Sequence, residues 1–421
     1  MPMIANLSAL EILDSRGRPT VEATCTLASG ASGTASVPSG ASTGGAEALE
    51  LRDGDPSRYG GLGCRTAVQH INDDLADALG DREFDQLGLD AAMITLDGTP
   101  NKARLGANAI LAVSLAFARA AAFEAQVPLY HYFADLAGIP LATLPRLTIN
   151  LFSGGKHAGG QVPIQDVLVV PAAARTIDEA LATTYAVYQA AADLTNRKYG
   201  TRTLTADEGG LAPPFPDVET MLADAVAAIE AAGFTPGREV ALAVDVAASH
   251  FYRDGRYHLG GDPLDSAGMI AQLGVWLDLY PIVSIEDGLA EEDWAHWPIL
   301  RERLAARALI LGDDFLCTNP ARIRRAIDAD AASALLLKVN QIGTLSEAAE
   351  ARALAHGAGW QVTISARSGE TEDNWLADLA VGWGGQQIKV GSITQSERLA
   401  KYNRLLAIEA ATGLPLVSWP G

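Results

Sequence analysis

Cysteine is scarce in this sequence. The three present, Cys25, Cys64 and Cys317, are odd in number and show no Cys-x-x-Cys spacing. That excludes a disulfide framework or a cysteine zinc site and fits a reducing cytosol. Aromatic residues reach only 6%, and positive charge is outnumbered, with 31 Lys and Arg against 51 Asp and Glu and a formal net charge of −20. Nucleic-acid binding needs clustered cations, so nucleic acid is excluded as an obligate partner. An anionic substrate must instead be drawn in locally, by lysines, arginines or metal ions, against the overall field. Long apolar runs are missing too. Nothing approaches the ~18 apolar residues of a membrane span, and the alanine-rich Ala107–Ala122 is interrupted by Asn108, Ser114 and Arg119, so it reads as a buried helix. Met1–Leu10 has no basic segment or long apolar core, so no secretory signal is expected and the chain is placed in the cytoplasm, off the membrane.

What is there is a chain of 421 residues, 48% hydrophobic and 19% charged, enough for an ample core and two domains. Its second half repeats one shape. Pro281-Ile-Val-Ser-Ile rises as a short apolar run and stops on Glu286-Asp287-Gly288. Val240–Val244 stops on Asp245, Leu309–Gly312 on Asp313-Asp314, Leu335–Leu337 on Lys338, Val362–Ser365 runs into Arg367-Ser368, and Gln387-Ile388 stops on Lys389. Helix-like stretches such as Pro320–Ala329 and Ser346–His356 lie between. Buried strands ending on polar tips and alternating with helices predict a (β/α) barrel with its functional groups at the C-terminal face of the strands. One such tip would be ordinary surface charge; six in succession are not.

The first third reads differently. Ile4–Val37 alternates and is rich in Thr, Val and Ala, broken at Asp14-Ser15-Arg16-Gly17 and at Ser29-Gly30, which predicts an antiparallel meander. Residues 67–79 and 106–122 are helical in pattern. An α+β domain is therefore expected over 1–135 and the barrel over 140–421, with the break near Gly138-Ile139-Pro140. The small-residue tract 38–45 is either a linker or a mobile loop whose hydroxyls reach a ligand. Gly154-Gly155-Lys156-His157 hints at a phosphate loop, but His157 stands where Ser or Thr should and the leading glycine is absent. A histidine flanked by small residues lacks the packing for a core role, which tilts His157 toward function.

Asp245, Glu286 and Asp313 end successive strands, and strands ~4.8 Å apart let three such tips converge on one ion. All-oxygen ligands favour Mg²⁺ or Mn²⁺ over zinc. Lys338 and Lys389 end later strands; a lysine beside bound metal and a second lysine is expected to have a lowered pKa and to accept a proton.

At this point the chain resembles enolase (phosphopyruvate hydratase) along its whole length. The resemblance rests on Asp14–Glu22, Pro38–Gly44, Gly154–Ala158, Asp207–Gly210, Ser284–Leu289, Gly312–Asp314, Lys338–Thr344, Arg367–Asp373 and Ser396–Tyr402, all in order. It implies an enolase-type (β/α)8 barrel behind a smaller α+β domain. It implies two Mg²⁺ per active site, the first on Asp245, Glu286 and Asp313 and the second on Ser42 from the mobile loop. It further implies Lys338 as the base at C2 of 2-phosphoglycerate and Glu208 as the acid at the C3 hydroxyl. Lys389 would face the substrate carboxylate, Arg367 and Ser368 its phosphate, while Gln165 and His157 line the pocket. A homodimer or larger homo-oligomer is implied as well. A lysine base with magnesium is already known for enolase-type sites.

This sequence departs from the family pattern at the pocket. Ala366 stands where enolases have His before Arg-Ser, and Asp166 replaces the Glu that partners the catalytic acid. Ser153 replaces Asn before Gly-Gly, and Ser392-Ile-Thr-Gln395 replaces Ala-Pro-x-Arg. The departures suggest a pocket that admits something larger than, or additional to, 2-phosphoglycerate. The enolase-like carboxyphosphonoenolpyruvate synthases of phosphinate antibiotic pathways, which join 2-phosphoglycerate to nucleotide-activated phosphonoformate, offer that alternative. A scaffold kept only for binding would be expected to lose Lys338 or a metal ligand, and both sets are intact.

Overall fold

The computed structural model describes residues 1–41, 43–200 and 204–419. The chain opens with an antiparallel sheet of β1 (Ile4–Leu13), β2 (Pro19–Leu27) and β3 (Ser32–Ser36). The turn between β1 and β2 is made by Asp14, whose carboxylate accepts the backbone N–H groups of Arg16 (2.8 Å) and Arg18 (2.9 Å), with Gly17 left-handed at φ 71°. The sheet packs on the helix Ala107–Glu124 so closely that a Cβ on Gly33 would stand 2.4 Å from the Ala120 nitrogen. That helix is long and apolar enough in composition to cross a bilayer, but 83% of it is buried inside the chain, a core helix as its interrupted pattern predicted.

Eight strands then close a barrel: β4 (Arg146–Ser153), β5 (Asp166–Val170), β6 (Ala241–Asp245), β9 (Ile282–Glu286), β10 (Leu309–Gly312), β11 (Ala334–Leu337), β12 (Gln361–Ser365) and β13 (Gln387–Lys389). The short hairpin of β7 (Tyr252–Arg253) and β8 (Arg256–Tyr257) hangs outside it. The strand–tip–helix pattern holds from β6 onward but breaks earlier. β5 follows β4 without an intervening α-helix and runs antiparallel to both β4 and β6. The consequence is local: β5 starts, rather than ends, at the mouth where the other strands finish. Asp166, its first residue, therefore pairs in register with Ser153 and with Asp245. The far end is closed by Trp419 against Leu168, Val170, Ala241 and Ala243.

The barrel helices start where local chemistry dictates. Thr176 accepts the Glu179 N–H at 3.0 Å, Asn319 caps a helix with Pro320 at its first position, and Thr344 exchanges bonds with Glu347. Each such cap contributes about 1 kcal/mol.

Candidate active site

The mouth is assembled by register. Asp245 and Glu286 are aligned residues of neighbouring parallel strands, Asp313 follows β10, Lys338 follows β11, and Lys389 ends β13. All five side chains are buried. Lys389 Nζ donates to Asp245 Oδ2 at 2.9 Å and to both Glu286 oxygens at 2.8 Å. Gln165 Nε2 donates to the same Asp245 oxygen at 3.1 Å. Lys338 Nζ is paired with Asp313 Oδ2, and Gln341 Nε2 donates to the other Asp313 oxygen at 2.9 Å. The carboxylates expected around one ion are thus split, two on Lys389 and one on Lys338.

The same pairing sets the titration of the two lysines. Burial works against both ammonium groups, but Asp313 raises Lys338 above the ordinary lysine value, and Asp245 and Glu286 raise Lys389 well above it. A lowered pKa needs the carboxylates drawn elsewhere. Burial and then Asp245 push Glu286 well above the usual carboxylate range. The residues fit a hard divalent cation: the donors are all oxygen, and Asp245 with Glu286 already encloses one positive centre, the Lys389 ammonium.

Asp287 has a different task from Glu286 beside it. With backbone φ 44°, its buried carboxylate accepts the N–H groups of Asp313 (2.9 Å) and Asp314 (2.8 Å), fixing the loop that presents Asp313. Asp287, Asp313 and Asp314 form one of two close donor groups among the described residues, the other being His157, Asp166 and Glu208.

That second group adjoins Asp245, since Asp166 pairs with it on the neighbouring strand, and brings His157 and Glu208 to the pocket. His157 Nδ1 lies 2.8 Å from Asp166 Oδ2, and its Nε2 lies 3.8 Å from Glu208 Oε1. Ser153 Oγ donates to the other Asp166 oxygen, and Asn150 Nδ2 donates to Glu208 at 3.0 Å. Burial opposes a charged imidazole, but Asp166 and Glu208 outweigh it and raise His157 to about 9. Burial lifts Asp166 in turn, while Glu208 is held below its usual value against burial by His157.

The third wall is cationic. Arg367 Nη1 lies 3.0 Å from both Glu47 Oε2 and Asn340 Oδ1, and Nη2 lies 3.2 Å from Glu47 Oε1. Arg16 Nη1 donates to Ser368 Oγ at 3.0 Å, and buried Arg398 donates to the Arg367 carbonyl at 2.6 Å. The tract 38–45 is tied here by Ser39, which exchanges backbone bonds with Gly369 at 2.8 and 2.9 Å. Ser42, expected on a second metal, lies outside the described residues. His157, Gln165, Glu208, Asp245, Lys338, Ala366, Arg367, Ser368 and Lys389 share one narrow pocket, with Ala41 at its rim.

Two family matches cover almost the whole chain: the enolase N-terminal domain over residues 4–133 and the enolase C-terminal TIM barrel domain over residues 141–416. The chain is a member of the enolase family. The reversed β5 therefore belongs to an enolase barrel, and the departures can be placed in it. Ser153 and Asp166, two separate departures, bond to each other. The shorter Asp166 is held by that hydroxyl and by His157, and reaches Glu208 through the imidazole. Ala366 is buried in the pocket wall between Ser365 and Arg367, its N–H donating to the Lys389 carbonyl at 2.8 Å. Gln395, left-handed at φ 72°, begins the last helix beside the loop that carries Glu208.

Sequence reasoning overlooked Glu47, Asn340, Arg16 and Asn150 as parts of this site. Arg16 and Asn340 lay inside quoted motifs. Glu47 lies two residues past the small-residue tract, the one signal that could have pointed to it.

Proposed function

We propose that this enolase-family chain is a Mg²⁺-dependent enzyme that removes the C2 proton of 2-phosphoglycerate and expels the C3 hydroxyl, giving phosphoenolpyruvate and water. The observation that supports it best is that Lys338 and Glu208 face one narrow pocket that also holds Lys389, Arg367 and Ser368. Lys338 takes the C2 proton, which requires it unprotonated. Once Asp313 and Glu286 are turned away, burial and the Arg367 and Lys389 charges are left to lower it. Lys389 pairs with the substrate carboxylate. Arg367 exchanges Glu47 for the phosphate, with Ser368 donating alongside. The departing hydroxyl takes its proton from the His157–Glu208 pair, with Asp166 holding the imidazole in place. Asp245, Glu286 and Asp313, with Ser42 from the loop, would hold Mg²⁺, which supplies charge to stabilise a doubly negative enolate.

A second reading is supported by Ala366. A methyl group beside Arg367 offers no donor and leaves room, which suits a synthase of the carboxyphosphonoenolpyruvate type in which the same enolate chemistry meets a nucleotide-activated phosphonoformate. Exchange of the C2 hydrogen in deuterated water tests the shared step. Wash-in of deuterium is expected under either reading, and its absence with Mg²⁺ bound would end both.

A further inference from the structure

On the outer side of the glycine loop that carries His157 lies a second cavity, of about 430 Å³. Its polar lining is Lys156, His250, Arg253 and His258, with no carboxylate, and its apolar wall includes Val162 and Phe251. In a chain of net charge −20, cations ordinarily find acids, as Lys338, Lys389 and Arg367 do. Lys156 and Arg253 have no ion-pair partner among the described residues, although both are exposed and free to reach one. The His250 Nδ1 atom is enclosed and has no hydrogen-bond partner among the described residues. Burial and then the Lys156 ammonium hold its ring down at about 4, with Asp245 and Asp313 acting the other way from the catalytic side, so the charge at the cavity itself is that of Lys156 and Arg253. The wall made by Gly159 and Gly160 is open, with no atom within 4 Å of where a side chain would start, so a ligand can come up to the backbone there.

We propose that this cavity is a second anion site, separate from Arg367 and Ser368, for a small molecule that bears a phosphate or phosphonate group beside a flat or apolar group. The anion would lie among Lys156, His250, Arg253 and His258, and the flat group against Pro163 and the edge of Phe251. A nucleoside monophosphate has this chemistry; inorganic phosphate shares only its anionic half. Lys156 and His157 are consecutive in the turn Gly155–His157, yet one lines this cavity and the other the catalytic pocket. A molecule held here therefore adjoins the reacting centre and braces the loop that carries His157. The site rests on its own lining and holds under either reading of the reaction.

Isothermal calorimetry on the full chain tests it, with a purine and a pyrimidine nucleoside monophosphate and with inorganic phosphate as probes. A nucleoside monophosphate is expected to bind more tightly than phosphate and to weaken as salt is added. Lys156→Gln combined with Arg253→Gln should weaken it at least tenfold, while Arg367→Gln leaves it unchanged. No binding at millimolar probe would overturn the proposal. So would binding lost in Arg367→Gln and kept in the double variant, since that places the anion in the catalytic pocket. Phosphate binding as tightly as the nucleotides would refute the apolar half of the site. The double variant changes two exposed side chains, so 2-phosphoglycerate conversion is expected at the wild-type rate. If neither protein converts 2-phosphoglycerate while the nucleotide still binds, the catalytic reading fails and the anion site stands.

Discussion

Replacing Lys338 by alanine separates two roles of one side chain, and the two are read by different assays. The ammonium is buried against Asp313, whose other oxygen keeps the Gln341 amide at 2.9 Å. Removing one partner of a buried pair costs about 3–5 kcal/mol, because the remaining charge is left uncompensated. The retained Gln341 bond puts the cost near the lower end, about 3 kcal/mol. At about 2 °C per kcal/mol for a large chain, that is a fall of roughly 6 °C in the unfolding temperature, measured with chelator present. Mg²⁺ gives Asp313 a new counter-charge, so the gap between variant and wild type should narrow when it is added. Turnover should not recover with it, since a general base contributes about 10²–10⁴-fold. Thermal unfolding with chelator and with Mg²⁺, alongside absorbance-followed turnover, separates the two effects. A variant within tenfold of wild-type activity would refute Lys338 as the base. An equal loss of stability with and without Mg²⁺ would refute the claim that Asp313 exchanges lysine for metal.

Three further outcomes follow from the same geometry. His157 is raised from 6.5 to about 9 in the fold, so its contribution, of the order of 3 kcal/mol, is complete below pH 6.5 and is lost as pH rises through 9; denaturant midpoints should show this loss in the wild type and not in His157→Gln. Asp287→Asn leaves one acceptor where two backbone N–H groups are held, so calorimetry should show Mg²⁺ affinity down about 10–100-fold. Ala366→His narrows the pocket beside Arg367 and should shift preference toward 2-phosphoglycerate over a bulkier co-substrate; unchanged relative kcat/KM values would show that this position did not reshape the pocket.

Much of the architecture was legible because parallel barrel strands are short, buried and punctuated. The order Asp245, Glu286, Asp313, Lys338, Lys389 could be read as one face before any coordinates. The direction of β5 could not. Val167–Val170 is apolar whichever way it runs, and a continuous run carries no sign of polarity. Contacts across the fold were equally hidden: Arg367 meets Glu47 across 320 positions and Arg16 meets Ser368 across 352. The pairing of the lysines was hidden as well: the expectation concerned lysines beside bound metal, and register brings Asp245 and Glu286 to Lys389 and Asp313 to Lys338. Ser153 and Asp166 read as two independent departures, and only register shows them as one hydrogen-bonded pair.

The central claim is that these side chains carry out enolate chemistry on 2-phosphoglycerate. Purified protein mixed with 2-phosphoglycerate and Mg²⁺, with the ultraviolet absorbance of the enol product followed over time, tests it most directly. A Mg²⁺-dependent rise that disappears in Lys338→Ala is the predicted result. A flat trace from folded, Mg²⁺-bound protein would contradict the dehydration reading.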